Sequence, residues 1–490
     1  MSPRKSITDY DRKPAPQKPI ELDPDKPLEI AEAFIAARYM HDEHRTLHHQ
    51  HDIFYRWRDT HYSEYAEEML RADLYKFLSQ ARQPRGKQME KFQPDKTIVT
   101  QVIDALAAVA QLDVSLRAPF WLDDPADESA GEILACSNGL LFLPTQASME
   151  HTPKLFNLSA LDYEFDPDAA EPRRWLRFLH DLWGGDQEAI DTLQEWFGLL
   201  LSSETRFQKM LLLIGPKRSG KSTIARMIAA VIGRDSITNP TLSGLGEPFG
   251  MQSLIDKPVA IIPDARMGRQ ADVAKVVESL LAISGEDSVE VRRMYRSKWS
   301  GRLPTRFSIL SNEVPRFADA SEAIASRFLV LTITVSFYGH EDLGLFDKLI
   351  PERPSILKWA LAGLQRLKQR GYFIQPKSGR EDRDTLYDLA SPIGAFVDER
   401  CSIDAALAVS CADLFSSWQT WCKSNGRDHS GTAQGFSRDL HAAFPSVHTY
   451  QPKIEGRRPR WFSGIGLNEE EHKRLGRLAR IVDATKRRQP

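Results

Sequence analysis

The stretch LLLIGPKRSGKSTIARMIAA, residues 211–230, constrains the fold of this chain more than any other segment. Leu211–Ile214 read as a buried strand, a loop bounded by Gly215 and Gly220 follows, and Ile224, Met227 and Ile228 then recur at helical spacing. Strand, glycine-bounded loop and helix in that order make a nucleotide-binding P-loop. The candidate nucleotide-binding residues are Gly215, Pro216, Lys217, Arg218, Ser219, Gly220, Lys221, Ser222 and Thr223. The two glycines free the backbone so that loop N–H groups point inward at phosphates, Lys221 reaches the β and γ oxygens, and Ser222 ligates Mg²⁺. The N-terminus of the helix that starts near Lys221 adds its partial positive charge at the same point.

The chain has 490 residues, 41% of them apolar and 27% charged, which is enough to bury substantial cores in roughly three domains. Cys136, Cys401, Cys411 and Cys422 lie too far apart in sequence for a CxxC metal knuckle and are too few for a disulfide scaffold. No apolar run approaches the ~20 residues that a membrane span needs, and MSPRKSITDY lacks the apolar core of a secretory signal. The expectation is therefore a cytoplasmic protein with no membrane partner. The net charge of -2 conceals local asymmetry. Six Lys/Arg and no acid lie between Val291 and Phe307, and from Gln451 to Pro490 eleven Lys/Arg face five acids.

Composition and periodicity divide the chain. Six prolines in residues 1–27 mark a disordered tail. An N-terminal α+β domain is expected over 28–171. It has a helix from Leu28, strand-like LHHQHDIFYRW and THYSEY, helices over Ala66–Gln80 and Thr97–Gln111, and the strand-turn unit SNGLLFLPT. His41, His44, His48, His49 and His51 read as half-exposed strand residues: neighbours in a strand face opposite sides, and no Cys or Glu cluster joins them. Residues 172–204 show Trp175, Phe178, Leu179, Leu182 and then Leu193, Trp196, Phe197, Leu200 at helical spacing, a helical collar or oligomer contact, with internal core as the alternative.

Within 205–376 the P-loop requires further strands. Val259–Ile262 form a continuous apolar run of the buried parallel type that ends at Asp264, the expected Mg²⁺ partner. The general base is left open, with Glu286 and Asp287 as substitutes. RFSILSNE ends at Asn312, placed as a polar sensor for the attacking water, with a turn asparagine as the alternative. Arg327 precedes another apolar strand and is expected to act as a finger on a neighbouring subunit's phosphate, with Arg316 as fallback and a structural ion pair as the alternative. Arg292, Arg293, Arg296 and Lys298, interleaved with Tyr295 and Trp299, combine phosphate neutralisation with stacking surfaces, as single-stranded DNA binding requires, with a solvated basic loop as the alternative.

Several ordered segments carry a family resemblance. Gly215–Thr223, VAIIPDAR, SGEDSVEVRRMYRSKWSGRLPTRF, ILSNEVPRFADASEAIASRF and ILKWALAGLQRL resemble the superfamily 3 helicase domain of phage and plasmid primase-helicases, the group that includes the poxvirus-type replicative helicase. Upstream, YRWRDTHYSE, SNGLLFLPT, HTPKLFNLSALDYEFDP and LQEWFGLLLSS are similar to the domain that precedes the helicase there, so the resemblance covers most of Leu28–Pro376. It implies an α/β fold with an AAA+-like P-loop ATPase core, assembly as a homo-hexameric ring, and translocation on single-stranded or forked DNA with ATP and Mg²⁺. Lys221, Asp264, Asn312 and Arg327 would be catalytic, with Ser222 and Asp264 on the metal. The basic stretch resembles the family's DNA-gripping pore hairpin, with Met294 standing where relatives commonly carry lysine.

The C-terminal segments SPIGAFVDERC, DLFSSWQTWCKSNG, SRDLHAAF and RRPRWFSGIGL read as three helices and a basic β-hairpin over 391–467, followed by a basic tail over 468–490. That order resembles a winged-helix domain, with Arg457, Arg458 and Arg460 on the DNA backbone; a packing or partner-docking domain is the alternative. No primase is recognisable, since there is no zinc ribbon and Asp123 and Asp124 lie in loop-like WLDDPADES, so a separate primase or initiator is the expected partner. The sequence thus reads as an ATP-dependent DNA helicase. Its rivals are an ATP-switched origin-binding initiator and a nucleic-acid translocase in packaging or defence.

Overall fold

The structure, a computed structural model, describes residues 20–471 except 87, 268–271, 295, 296, 316, 318–321, 391, 426–429 and 454–457, and except the side chains of 322, 388 and 390. Of the residues singled out above, Tyr295, Arg296, Arg316 and Arg457 lie outside the described residues, as does most of both terminal tails.

The N-terminal region opens with α1 (Pro27–Arg38), whose Pro27 sits where a helix has an orphan N–H to spare. The pairs β1 (Met40–His41) with β2 (His44–Arg45), and the meander β3 (Leu47–Gln50), β4 (Ile53–Trp57), β5 (Tyr62–Glu64) follow. Next come α2 (Glu67–Leu78), the hairpin β6 (Arg82–Arg85)–β7 (Gln88–Lys91), and α3 (Lys96–Val109), capped by Asp95 accepting from the Ile98 N–H at 2.9 Å. Phe34, Leu70, Leu74, Val102 and Leu106 join Leu47 and Phe54 in one core. His44 and His49 are half-buried strand residues as expected, and His48 and His51 depart from that expectation. His48 is 3% exposed, its ring edge-on to Tyr62 and Phe156, and burial with the nearby Arg45 pulls its pKa down to about 3. His51 sits in the turn between β3 and β4 at φ +52°. Beyond α3, β8 (Phe120–Trp121) pairs with β12 (Leu155–Phe156), and β9 (Ile133–Cys136), β10 (Gly139–Phe142) and β11 (Ala147–Met149) form a meander.

The expected collar is α4 (Arg173–Trp183) and α5 (Gln187–Leu201), separated by Gly184 and Gly185, both at positive φ. Their apolar stripes are not left for a partner. Trp175, Leu193, Trp196 and Phe197 share a core with Leu211 and Leu213 of the central sheet and with Ile356, Leu357 and Leu364 of a later helix. The internal-core alternative therefore describes this packing. Inside it, the Glu195 side chain, 2% exposed, is held by Arg366 and Arg370, which offsets the cost of burying the carboxylate.

The sheet that organises the rest has five strands: β13 (Met210–Ile214), β14 (Ile237–Thr238), β15 (Val259–Ile262), β18 (Arg306–Ser311) and β19 (Phe328–Thr332). Their spatial order is β14-β15-β18-β13-β19 and every pair is parallel. Numbered along the chain from β13, this is order 5-1-4-3-2. Its central strands are buried on both faces, which is why MLLLI of β13 and VAII of β15 read as unbroken apolar runs; β18, RFSILS, is as buried but carries Arg306, Ser308 and Ser311. Leu211 and Leu213 face α5, α6 (Lys221–Ile232) and α10 (Arg353–Arg370); Met210, Leu212 and Ile214 face α7 (Val273–Ser284) and α8 (Glu322–Arg327). Between α7 and β18 lies a separate hairpin, β16 (Ser288–Val291) with β17 (Trp299–Arg302). A short α9 (Leu345–Leu349) precedes α10, and α11 (Arg380–Ala390) leads onward.

The C-terminal module departs from the sequence reading. Between α12 (Pro392–Arg400) and α13 (Cys411–Ser424) runs β20 (Cys401–Ser410), then α14 (Ala433–Ala443), β21 (His448–Tyr450) and β22 (Trp461–Leu467), with strand order β20-β22-β21, antiparallel. The sequence shows no alternation in CSIDAALAVS because β20 is exposed over most of its length and its register shifts between Ile403 and Ala408. Phe396, Trp418, Trp421, Phe436 and Phe462 fill the module's core.

Candidate functional site

All five strands point the same way, so the connections that leave β13, β15 and β18 gather at one edge of the sheet. After β13, Gly215 passes so close to β19 that a Cβ there would meet the Ile333 carbonyl oxygen at 2.6 Å. Gly220 caps α6 at φ +86°, and a Cβ on it would touch the Phe178 ring at 3.0 Å. Lys221, 8% exposed, donates from Nζ to the carbonyls of Gly215 and Pro216 at 2.6 and 2.7 Å and to Ser219 Oγ at 3.2 Å. Burial alone pushes its pKa below the usual lysine value.

The loop opens onto a cavity of about 900 Å³ whose other walls the motif did not announce. Arg174, Arg177, Phe178 and Asp181 form a stripe at i, i+3, i+4, i+7 on α4 facing the loop. An adjoining wall is the segment after β19, including Phe337, His340, Glu341, Asp342 and Lys348, whose carbonyl accepts from Arg174 at 3.2 Å. It is tied to the loop by Ser336 Oγ on the Lys217 carbonyl at 2.9 Å and by the Phe337 N–H on the Arg218 carbonyl at 3.0 Å. Arg226, one turn along α6, stacks 3.8 Å from the Phe346 ring centre. Seven Lys/Arg line the cavity against Asp181, Glu341 and Asp342, so its field favours a polyanion. The helical spacing of Trp175, Phe178, Leu179 and Leu182 marks α4 in the sequence, but nothing local marks Arg174, Arg177 and Asp181 as a cavity wall.

Asp264 follows β15 at the same edge; the N–H of its neighbour Ala265 donates to the Leu310 carbonyl on β18 at 2.9 Å. Both Asp264 oxygens are engaged by Arg266, at 2.8 Å from Nη2, and the guanidinium holds the carboxyl below the usual carboxylate range. Asn312, after β18, lines the cavity. Its exposed neighbour Glu313, which the sequence reading passed over, brings a second acid to this edge.

Arg327, Glu286 and Asp287 lie at the other edge. Arg327 immediately precedes β19, whose first residue pairs with the first residue of β13, and its guanidinium bonds Gln208 and the Ser284 carbonyl of its own chain. Glu286 accepts from Thr205 just upstream of β13. Five residues at about 3.3 Å each put this edge roughly 16 Å from the P-loop. Glu286 and Asp287 are thus misplaced as bases for the P-loop of their own chain, and Arg327 is equally remote from it.

The described part of the basic stretch runs from the end of β16 into β17. Arg292 is exposed, Arg293 is tied to Ser297 at 2.8 Å, and Lys298 pairs with Glu290 at 2.8 Å on the surface. Trp299 corrects the expectation of a stacking surface: it is 4% exposed and packs with Val291 and Phe307. In the C-terminal module Arg458 and Arg460 are exposed on the β21–β22 connection. Among the described residues no helix is long and apolar enough to cross a membrane.

Two protein-family models match the chain: residues 32–184 match the family described as D5 N terminal like, and residues 213–327 match a family of unknown function, DUF5906. Among solved structures, an A form apo structure of the NrS-1 C terminal region superposes with TM-score 0.52 at 11% identity, over 90% of this chain and 100% of that one. Another apo structure of that region gives 0.53 at 12%, over 90% and 99%. At such identity the likeness is one of fold. Together these matches support the coarser part of the resemblance read from the sequence, domains of the phage and plasmid primase-helicase kind.

Proposed function

We propose that this protein is an ATP-dependent DNA helicase that acts in replication of a phage, plasmid or other mobile element and moves along single-stranded DNA as a ring, most simply a hexamer. The observation that carries the reading is the glycine-bounded loop with Lys221 at the C-terminal edge of a parallel sheet of order 5-1-4-3-2, opening on a cation-lined cavity. That strand order, with a phosphate loop after the first strand and Asn312 after the fourth, is the arrangement expected of an AAA+-like core. In the C-terminal module, helix, strand, two helices and two strands with Arg458 and Arg460 on the last connection support a winged-helix DNA contact.

In this reading triphosphate oxygens take the place of the Gly215 and Pro216 carbonyls as acceptors for Lys221 Nζ, and loop N–H groups and the α6 N-terminus hold the β-phosphate. The Ser222 hydroxyl and the Asp264 carboxylate are hard oxygen donors of the kind that suits Mg²⁺, which would neutralise charge between the β- and γ-phosphates. Holding it requires Asp264 to exchange Arg266 for the cation. Asn312 orients the attacking water, and its proton passes to an acid of this edge, Asp264 or Glu313. Arg327 supplies charge to the next subunit's γ-phosphoryl group.

The test is ATP turnover by the purified full chain with and without single-stranded DNA, beside strand displacement on a forked duplex. DNA-stimulated turnover with displacement is expected. Turnover without displacement would favour the origin-binding initiator, and absence of any turnover would remove the reading.

A further inference from the structure

The β16–β17 hairpin forms a two-stranded sheet of its own, and an isolated two-stranded hairpin is marginal in water, so its orientation depends on what grips its base. Part of that grip comes from outside the ATPase region. Segments of the N-terminal region, among them residues 117–119 and 157–161, and segments of the ATPase region, among them Trp299 and residues 302–304, together line a cavity of about 320 Å³. Arg117 spans it. On the N-terminal side its Nη1 donates to His51 Nε2 at 2.8 Å and to the Val114 carbonyl at 2.7 Å. On the other side its Nη2 donates to the Ser300 carbonyl at 3.4 Å, and the guanidinium lies 5.2 Å from the Trp299 ring centre. The fit is close, since a Cβ on Gly301 would come within 3.1 Å of Nη2. Planarity and the fork of donors let one arginine satisfy both sides at once, which a lysine cannot do.

We propose that Arg117 is a positioning residue that couples the β16–β17 hairpin to the N-terminal region, so that load on the hairpin from bound DNA is passed across the cavity. Trp299 is then the buried fulcrum of the hairpin, and the arginines near its tip are the part that meets DNA. The proposal rests on reading the hairpin as the DNA-gripping element, but its mechanical half can be tested without DNA.

The experiment compares the full chain with Arg117→Met and Arg117→Lys. Amide hydrogen exchange, with neither nucleotide nor DNA, is expected to be roughly fivefold faster over residues 288–302 in both variants and unchanged over 210–214. Unchanged exchange in the hairpin of Arg117→Lys, which keeps a cation near Trp299 without joining His51 to Ser300, overturns the proposal. In solution assays Arg117→Met keeps basal ATP turnover and loses roughly fivefold of its stimulation by single-stranded DNA. The salt dependence of DNA binding stays as in the parent, whereas a fall in the log–log slope of about 0.7 would make Arg117 a phosphate contact and overturn the positioning role. If the parent chain shows no ATP turnover, the proposed function falls, and the exchange result still decides whether Arg117 holds the hairpin.

Discussion

At the C-terminal edge of the five-stranded sheet, the connections after β13, β15 and β18 bring Lys221, Asp264 and Asn312 to one side, and a cation-lined cavity opens over Lys221 and Asn312. At the N-terminal edge, Arg327, Gln208, Thr205 and Glu286 are paired with one another or with backbone, and Lys209 Nζ bonds the Ser326 carbonyl. The first edge has donors gathered around a space, and at the second Arg327, Glu286 and Lys209 are engaged within the chain. A strand's length of separation means that the two edges meet over one nucleotide only if a second copy brings its N-terminal edge to the first copy's cavity. The comparison teaches that a complete site, in the proposed reading, is a property of two chains.

Three substitutions can break or sharpen this contrast. The largest effect is expected at the C-terminal edge: Lys221→Ala should lower ATP turnover by roughly 10²-fold or more, because it removes a phosphate-clamping charge in the transition state. Thermal unfolding should barely change, and steady-state turnover that matched the parent would end the assignment of the cradle.

Next comes the opposite edge. Arg327→Ala should bind ATP nearly normally while turnover falls by about 10- to 100-fold. Mixing it with Lys221→Ala under conditions of subunit exchange should restore part of the activity, since a mixed assembly contains interfaces that pair an intact cradle with an intact arginine. Activity no greater than the sum of the two separate variants would return Arg327 to a purely local role with Gln208 and Ser284.

The smallest effect is expected for Glu286→Gln. Its carboxylate accepts from Thr205 on the non-cradle edge, so the loss should appear as about 1 kcal/mol of stability by denaturant titration, with turnover within about twofold of the parent. A collapse of turnover with stability intact would mean that the N-terminal edge supplies chemistry as well as charge.

The elements that were legible in the sequence are those buried on both faces or patterned on one. Val259–Ile262 and the run before Gly215 announce parallel strands by composition alone, and α3 shows its stripe plainly. What escaped did so for physical reasons. β20 is exposed over most of its length, so no alternation marks it. Trp299 sits in a basic segment, and composition cannot tell a ring that stacks on a base from one turned into the core. The α4 wall was visible as a helix, but Arg174, Arg177 and Asp181 acquire meaning only when tertiary packing lays that helix over Gly220, which no local pattern encodes. The same holds for Arg117, an arginine whose two neighbourhoods lie 66 and 183 residues away in sequence.

The cap on α4 carries a consequence for how the protein is made. The first N–H groups of that helix, on Arg174 and Trp175, are received by the Glu352 carboxylate at 3.0–3.2 Å, across 178 and 177 residues of chain. A ribosome adding about 5–20 residues per second needs on the order of ten to forty seconds to travel from one partner to the other. For about the last three-quarters of that interval the cradle loop has already been synthesised while the helix that roofs it has no cap. The nascent chain therefore passes through a stage in which the phosphate-holding loop exists without a fixed wall, and a fitted pocket is completed only when Glu352, at the start of α10, has emerged.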